Sequence, residues 1–517
     1  MFFFRPAVAC WGLLLSGLLG WLGGALPTLA QSSNLIIDTR QGAVQGVQEG
    51  PLRVFRGIPY ARPPVGALRF RPPQPLKRQV GVVPAVAFGP RATQGGGPSG
   101  VQGREDCLYL NVWAPAAASR PRRPVVVWVH GGAFTGGSGQ DHDTWTFAAR
   151  DSVVVVSFNY RLGSLGFLQI GPQLGKHYAQ AGNCGLLDAV AALRWVQRNI
   201  AAFGGDPHRV TVMGESAGAK LVGALLATPA TQGLFQQVIL ESGAVQAVRD
   251  TATAGAVARQ LLHALGTASP RRLLTLPADS LVRTQARFAS GAGGLQVFGP
   301  VLDGRTIPLP PLAFLQRKRP GVRVLLGTNR EEARLFSGPG SILAAPNAAA
   351  LNQVFGARNA PYVWRAYQQL RQTQPELEAW NATLTDYLYR LATYRLAKQL
   401  AAQGTPIWLY RFDYVDATTR PVHAQELAFV WNAPVGSSAG TMAAVPLTAP
   451  SKAADPALAA LMHAHWARFI KTGQPGPDWP AYTPAQPAVM VFKASSQVEL
   501  IPTSYEDAAF PTQGYQR

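Results

Sequence analysis

Six short runs dense in apolar and β-branched residues recur along the chain: Val125–Val129, Val153–Phe158, Val210–Met213, Val238–Leu240, Val322–Leu326 and Ile407–Phe412. Each is apolar almost throughout rather than alternating, the pattern of a strand covered on both faces. Helix-patterned segments lie between them, so the runs predict an α/β fold, a mostly parallel central sheet flanked by helices. The stretch "LLDAVAALRWVQRNIAAF" (186–203) has apolar residues at helical spacing and is expected to pack on that sheet. Gly/Pro-rich stretches at Gly89–Gly103, Gly291–Gly304 and Ser337–Asn347 interrupt the elements without splitting the chain into compositionally distinct halves. No internal repeat is visible. One domain with large loop insertions is the simplest organisation.

The composition, 47% hydrophobic with 12 Trp in 517 residues, supplies a large core and excludes general disorder. The first thirty residues carry Arg5, an apolar run and Thr28-Leu29-Ala30. This is the layout of a signal peptide cleaved after Ala30, which assigns 1–30 to a leader and 31–517 to the mature domain. The expected location is periplasmic or secreted; an uncleaved anchor is the alternative, and membrane contact is expected only through this leader. No other run is long and apolar enough to span a bilayer. The formal charge of +20, or +19 without Arg5, is mostly dispersed arginine. No nucleic-acid-binding motif accompanies it, so it reads as a solvated cationic surface or as attraction for anionic substrates or polyanions. After leader removal two cysteines remain, Cys107 and Cys184, whose pairing depends on a distance the sequence does not give.

The run Val210–Met213 leads into Gly214-Glu215-Ser216-Ala217-Gly218 and then a small-residue segment able to form a helix. Small residues around a lone serine at a strand-to-helix turn fit a nucleophile elbow. A second G-x-S-x-G occurs at Gly436–Gly440, but no strand-like run immediately precedes Ser438. A serine hydroxyl near neutral pH needs a base, and the base an orienting carboxylate. After Ser216, Glu331 and Glu332 follow the run Val322–Leu326, and His423 follows Ile407–Phe412. That gives the chain order serine, acid, histidine, which Ser438 cannot satisfy. The strand-like "VVVWV" opens into His130-Gly131-Gly132-Ala133-Phe134, whose small residues let backbone N–H groups face one point. The amide of Ala217 adds another donor for a developing oxyanion.

Nine segments in order make the chain resemble the type-B carboxylesterases, and within them the bacterial para-nitrobenzyl-esterase-like branch. They are "FRGIPYARPPVGALRF" (55–70), "EDCLYLNVWAP" (105–115), "HGGAF" (130–134), "NYRLGSLGFL" (159–168), "GNCGLLD" (182–188), "FGGDPHRVTVMGESAG" (203–218), "GPVLDG" (299–304), "GTNREEARLF" (327–336) and "HAQELAFVW" (423–431). The resemblance implies an α/β-hydrolase fold and an ester hydrolase with Ser216 as nucleophile, Glu332 as acid and His423 as base. It places the oxyanion donors at Gly132, Ala133 and Ala217. Glu215 and Ser242 become groups supporting the triad from behind, and Arg69–Glu105 and Arg161–Asp188 structural ion pairs. No metal or organic cofactor is implied, and the partner is a small-molecule ester acted on by a monomer or weak oligomer.

The chain also departs from the family. Its acid triplet is Glu331-Glu332-Ala333 where Asp-Glu-Gly is usual, and Cys107 lacks the family's upstream partner cysteine. The segment "ATQGGGPSGVQGR" has no aromatic residue to hold a quaternary ammonium, and Leu335 stands where cholinesterases carry their cation-site aromatic. Choline esters are therefore poor candidates. Gly294 and Gln296 replace two bulky acyl-pocket aromatics, implying a roomier acyl side. Two rival functions stand beside esterase: a non-catalytic binding protein on the same fold, and a triad hydrolase of amides or of a specialised anionic or polymeric ester. His463 and His465, two apart on a predicted helix, point in different directions and read as ordinary histidines rather than metal ligands. Asn381-Ala382-Thr383 matches a glycosylation acceptor only in a source that glycosylates.

Overall fold

All six apolar runs become strands of one sheet. The computed structural model describes residues 35–96, 100–117, 119–142, 145–289, 291–318, 320–433 and 453–501, all within one compact unit, Asn34–Arg517. The expected leader and the second serine motif at Gly436–Gly440 lie outside the described residues. Seven strands run parallel in the spatial order Val154–Phe158, Arg123–Val129, Gly205–Glu215, Gln237–Glu241, Arg323–Asn329, Ile407–Phe412, Ala488–Phe492. The strand Ala488–Phe492 was not among the sequence runs. Antiparallel strands extend both edges, through Tyr109–Pro115, Leu52–Pro59, Gly42–Glu49 and Leu35–Thr39 on one side and Gln497–Leu500 on the other.

The unbroken apolar character of the central strands has the expected cause. Val125, Val127, Val129, Val154, Val156, Val238 and Leu240 face one core, while Val126, Trp128, Val155 and Ile239 face another. Side chains alternate across a pleated sheet, so a strand covered on both faces must be apolar at every position. The helix Cys184–Asn199, continued by a 3₁₀ turn Ile200–Phe203, covers the first face with Leu186, Leu193 and Val196. The helix Pro456–Thr472 covers the second with Met462, Trp466 and Phe469. The large insertion between the strands Arg323–Asn329 and Ile407–Phe412 is mostly helical and has its own core around Phe336, Leu351, Val363, Tyr367 and Trp380. Among the described residues, no helix is long and apolar enough to cross a membrane.

Both ion pairs that the resemblance implies are formed. Arg69 Nε donates to Glu105 Oε2 at 2.7 Å. Arg161 grips the buried Asp188 through Nε and Nη2 (2.8 and 2.7 Å), and its backbone N–H adds a third bond to Asp188 Oδ2 (3.0 Å). Cys107 and Cys184 are free and buried rather than bridged. Burial pushes the Cys184 thiol up to about 11 although Arg161 opposes it, and burial raises Cys107 as well. Asn381 sits in the helix Glu376–Thr385, buried and bonded to Leu377 O, so its side chain is not presented as a glycan acceptor. Breaking a buried, fully bonded pair strands the surviving charge. Asp188→Ala is therefore expected to lower unfolding stability by about 3–5 kcal/mol in urea titration; a loss under about 1 kcal/mol would show the pair to be dispensable.

Candidate active site

Five neighbouring parallel strands, Arg123–Val129, Gly205–Glu215, Gln237–Glu241, Arg323–Asn329 and Ile407–Phe412, deliver their C-terminal ends to one edge of the sheet. Gly132, Ser216, Ser242, Glu332 and His423 follow those ends in that order, which is how residues far apart in sequence meet.

Ser216 occupies the turn between the strand ending at Glu215 and the helix Ala217–Leu226, with φ 55° and ψ −118°. A side chain larger than glycine rarely adopts that conformation, which costs about 1–3 kcal/mol. The turn is tight because the backbone crosses itself and its neighbour closely. A Cβ on Gly214 would lie 2.7 Å from the carbonyl carbon of Gly218, and one on Gly218 would lie 2.0 Å from Val129 O. Ser216 is then pinned by its N–H to Glu241 O and by Lys220 N–H to its own carbonyl, both 2.9 Å. Ala133, Phe134, Ser242 and Ala424 also have positive φ, so five of the eight such non-glycine residues described border this site.

The three predicted side chains converge. Ser216 Oγ lies 2.7 Å from His423 Nε2, and His423 Nδ1 lies 2.6 Å from Glu332 Oε2. The carboxylate contact fixes the imidazole with its proton on Nδ1, leaving Nε2 to accept from the serine hydroxyl. Glu332 Oε1 accepts from Ser242 Oγ (2.6 Å) and Asn329 N–H (2.7 Å). Glu332 is the acid that the resemblance picks over its neighbour, and the loop's direction agrees with it: Glu331 instead faces Arg330, Arg334 and Arg420. Ala333, in place of the family's glycine, keeps negative φ in a 3₁₀ turn and donates its N–H to Thr385 Oγ1 at 3.1 Å, so the loop needs no glycine there.

The loop after Val129 is shaped by its own backbone: Thr135 and Gly136 N–H both donate to Gly132 O at 2.9 Å. A Cβ on Gly132 would strike Gly136 O at 2.2 Å. The N–H groups of Gly132, Ala133 and Ala217 have no protein acceptor among the described residues. His130 is buried, stacked on Tyr160 with centroids 4.4 Å apart, and burial lowers its pKa to about 3, keeping it neutral. Glu215 Oε1 lies 3.2 Å from His423 Nε2, and burial followed by the nearby Glu426, Glu332 and Glu241 raises Glu215 well above the usual carboxyl range.

Several residues here carried no sequence assignment. Glu426 contacts Ser242 Oγ at 3.2 Å and accepts from Asn329 Nδ2 at 2.5 Å; it was visible in "HAQELAFVW", three residues after His423. Phe336 and Tyr389 pack their rings against His423, with centroids 5.1 and 4.6 Å away. Tyr389 lies in a π-helical turn, Asp386–Arg390, far from any motif. Lys220 was legible as a lone charge in "GAKLV". At the two positions of the expected acyl side, a Cβ on Gly294 would meet Ala289 O at 2.3 Å, so that glycine answers a close backbone approach, and Gln296 O receives the Arg249 guanidinium. His463 and His465 are bound elsewhere, His463 to Asp151 and Val430 O and His465 to Pro475 O. No cluster suited to a metal occurs among the described residues.

Residues 33–509 match the carboxylesterase family. The chain is 36% identical to the para-nitrobenzyl esterase of Bacillus subtilis (strain 168), over 93% of this chain and 99% of the relative. It is also 36% identical to the fumonisin B1 esterase of Sphingopyxis macrogoltabida, over 89% and 87% of the two chains. The solved carboxylesterase EST55 of Geobacillus stearothermophilus superposes with a TM-score of 0.79 at 38% identity, covering 92% of this chain and 99% of that one. With ester-hydrolysing relatives across almost its full length, the chain belongs to the carboxylesterase family and is a carboxylic ester hydrolase of the α/β-hydrolase fold.

Proposed function

We propose that this esterase is exported and works through an acyl-enzyme on Ser216. The Ser216 hydroxyl adds to the ester carbonyl while His423 Nε2 takes its proton. His423 then returns that proton to the departing alcohol, leaving the acyl group on Ser216. Water, deprotonated by the same imidazole, releases the acid and restores the hydroxyl. Glu332 stabilises the imidazolium formed in each half. The N–H groups of Gly132, Ala133 and Ala217 receive the oxyanion, where fixed dipoles need no reorganisation. The observation that carries this reading is the continuous hydrogen-bond chain from Ser216 through His423 to Glu332, at 2.7 and 2.6 Å. It favours catalysis over a purely binding role.

Glu426 has a distinct part in holding Glu332. A hydroxyl has one proton, and the shorter contact of Ser242 gives it to Glu332. The 3.2 Å contact from Ser242 to Glu426 Oε1 is then completed by a proton on Glu426. This agrees with its pKa, raised to about 8 by burial and by the charge of Glu332. An acid so raised stabilises the fold fully below its unfolded pKa, about 4.3, and loses that contribution as pH climbs toward the folded value. Glutamine can make the same two hydrogen bonds without ionising.

The leader assignment rests on Arg5, the apolar run and the small residues before Gln31, and the family match begins just beyond, at residue 33. A mature protein recovered from the expressing cell's envelope or medium is expected to start at Gln31 by N-terminal mass spectrometry; retention of Met1 with the chain in the cytoplasm would reject export.

A fluorophosphonate probe is expected to label Ser216, and Ser216→Ala to abolish labelling and lower turnover of a para-nitrobenzyl ester by about 10⁴ or more. Full activity in the alanine variant would overturn the assignment. Glu426→Gln should gain stability on the wild type as pH rises from about 5 to about 8; a difference that stays constant across that window contradicts a protonated Glu426.

A further inference from the structure

A groove of about 430 Å³ runs beside the helix Cys184–Asn199, and none of the residues lining it belongs to the site around Ser216. Its size is that of a small-molecule pocket, ~300–1,000 Å³. Leu187, Val190, Ala191, Arg194, Trp195 and Arg198 line it at helical spacing, so one face of the helix forms one wall. Val190 and Trp195 are buried and continuous with the core, as is Tyr60, another lining residue, just after the strand Leu52–Pro59. A second wall is the loop that carries Pro72, Pro73 and Pro75. That loop is tied down where Arg62 N–H donates to Gln74 O (2.8 Å) and Gln74 Nε2 donates to Pro72 O (3.1 Å). Proline fixes φ, so this wall loses little freedom when a ligand arrives.

The charge in the groove has one sign. Arg194 and Arg198 line it, and no acidic residue does so among the described residues. Both arginines are exposed, and neither has a hydrogen-bond or ion-pair partner among the described residues. Arginines at the two ends of the proline loop are engaged: Arg71 lies over the Tyr178 ring at 5.0 Å, and Arg78 donates to Asp38 Oδ1 and Thr39 O, both at 2.8 Å. The acid within the same helix, Asp188, is committed to Arg161. Arg198 lies in the last helical turn, where the helix dipole favours a cation; Arg194, a turn earlier, gains little from it. Four apart on one face, the two like charges are neighbours that repel, and an anion between them relieves that repulsion. A merely solvated surface accounts for exposed arginines, but not for their position over buried Tyr60, Val190 and Trp195.

Two unpaired guanidinium groups above an apolar floor fit a ligand with an apolar body and an anionic head. Ester hydrolysis makes such a ligand from a neutral one, because the acid it releases is ionised near neutral pH. We propose that this groove binds the free carboxylate of an apolar acid, the class of product that the enzyme releases. Arg194 and Arg198 hold the carboxylate, and the chain or ring lies against Tyr60, Val190 and Trp195. The groove is thus a product site separate from the active site, and its charge selects the acid over the unhydrolysed ester.

The test is a calorimetric titration of 4-phenylbutyrate, at low salt, into enzyme whose active site is occupied by the fluorophosphonate probe. Binding is expected with a Kd of about 1 mM or tighter. The neutral 4-phenylbutyramide, and acetate, which lacks the apolar body, should each bind about fivefold or more weakly. Replacing both arginines, Arg194→Gln with Arg198→Gln, should weaken 4-phenylbutyrate by about fivefold or more, leaving the affinity of the amide and the turnover of 4-nitrobenzyl acetate unchanged. Ala191→Trp, which fills the groove, should remove binding of both ligands; if that variant does not fold, the exposed glutamine pair decides. The proposal is overturned if 4-phenylbutyrate does not bind, if the amide binds equally well, or if binding survives the glutamine pair unchanged. Acetate binding as tightly as 4-phenylbutyrate would leave a bare anion site and overturn it too. Arginine-dependent association with phosphatidylglycerol vesicles, without binding of 4-phenylbutyrate, would give the patch to a lipid surface and likewise overturn it.

Discussion

Everything at the active edge depends on one steric fact: no side chain fits at 214 or 218. With Gly218 pressed on Val129 O and Gly214 on the Gly218 carbonyl carbon, the strand can turn into the helix within a single residue. Ser216 absorbs that turn in a backbone conformation most residues avoid. The strain is sustained because neighbouring strands, paired in parallel register, hold both sides of the turn. The same compression aims the serine away from the sheet and leaves the first amide of the following helix unspent, next to the amides of the loop after Val129.

Around that turn the protein has buried several ionisable side chains. Glu215, Glu241, Glu332 and Glu426 all lie out of water at the ends of the central strands, with Lys220 and Arg249 among them. Burial raises Glu215, Glu241 and Glu426, so the cluster does not ionise together. Glu332 differs in its partners: two donors on one oxygen and the imidazole on the other. Among these buried acids Glu332 is distinguished by its hydrogen bonds rather than by position alone.

Much of this was legible in the sequence because the constraints are local or periodic. Unbroken apolar runs specify two-sided burial, and the run Ile407–Phe412 matches its strand residue for residue. Glycines flanking Ser216 specify the turn. What stayed hidden depends on long-range packing. Nothing near Tyr389 announces that a π turn in an insertion will lay its ring on His423. Glu331 and Glu332 could not be separated by residue type alone, since only the loop's direction turns one to the histidine and the other to arginines. The close approach of Ala289 O to Gly294 was hidden for a related reason, since it is set by backbone packing rather than by residue type.

The central claim is that Ser216 and three backbone amides share one reacting carbon and its oxygen. Its most direct measurement is a crystal structure with a trifluoromethyl ketone, which a serine nucleophile converts to a tetrahedral adduct. The account predicts a bond from Ser216 Oγ to the ketone carbon, with the adduct oxygen about 2.7–3.1 Å from the N–H groups of Gly132, Ala133 and Ala217. An adduct on another residue, or an oxygen pointing away from those amides into solvent, would contradict it.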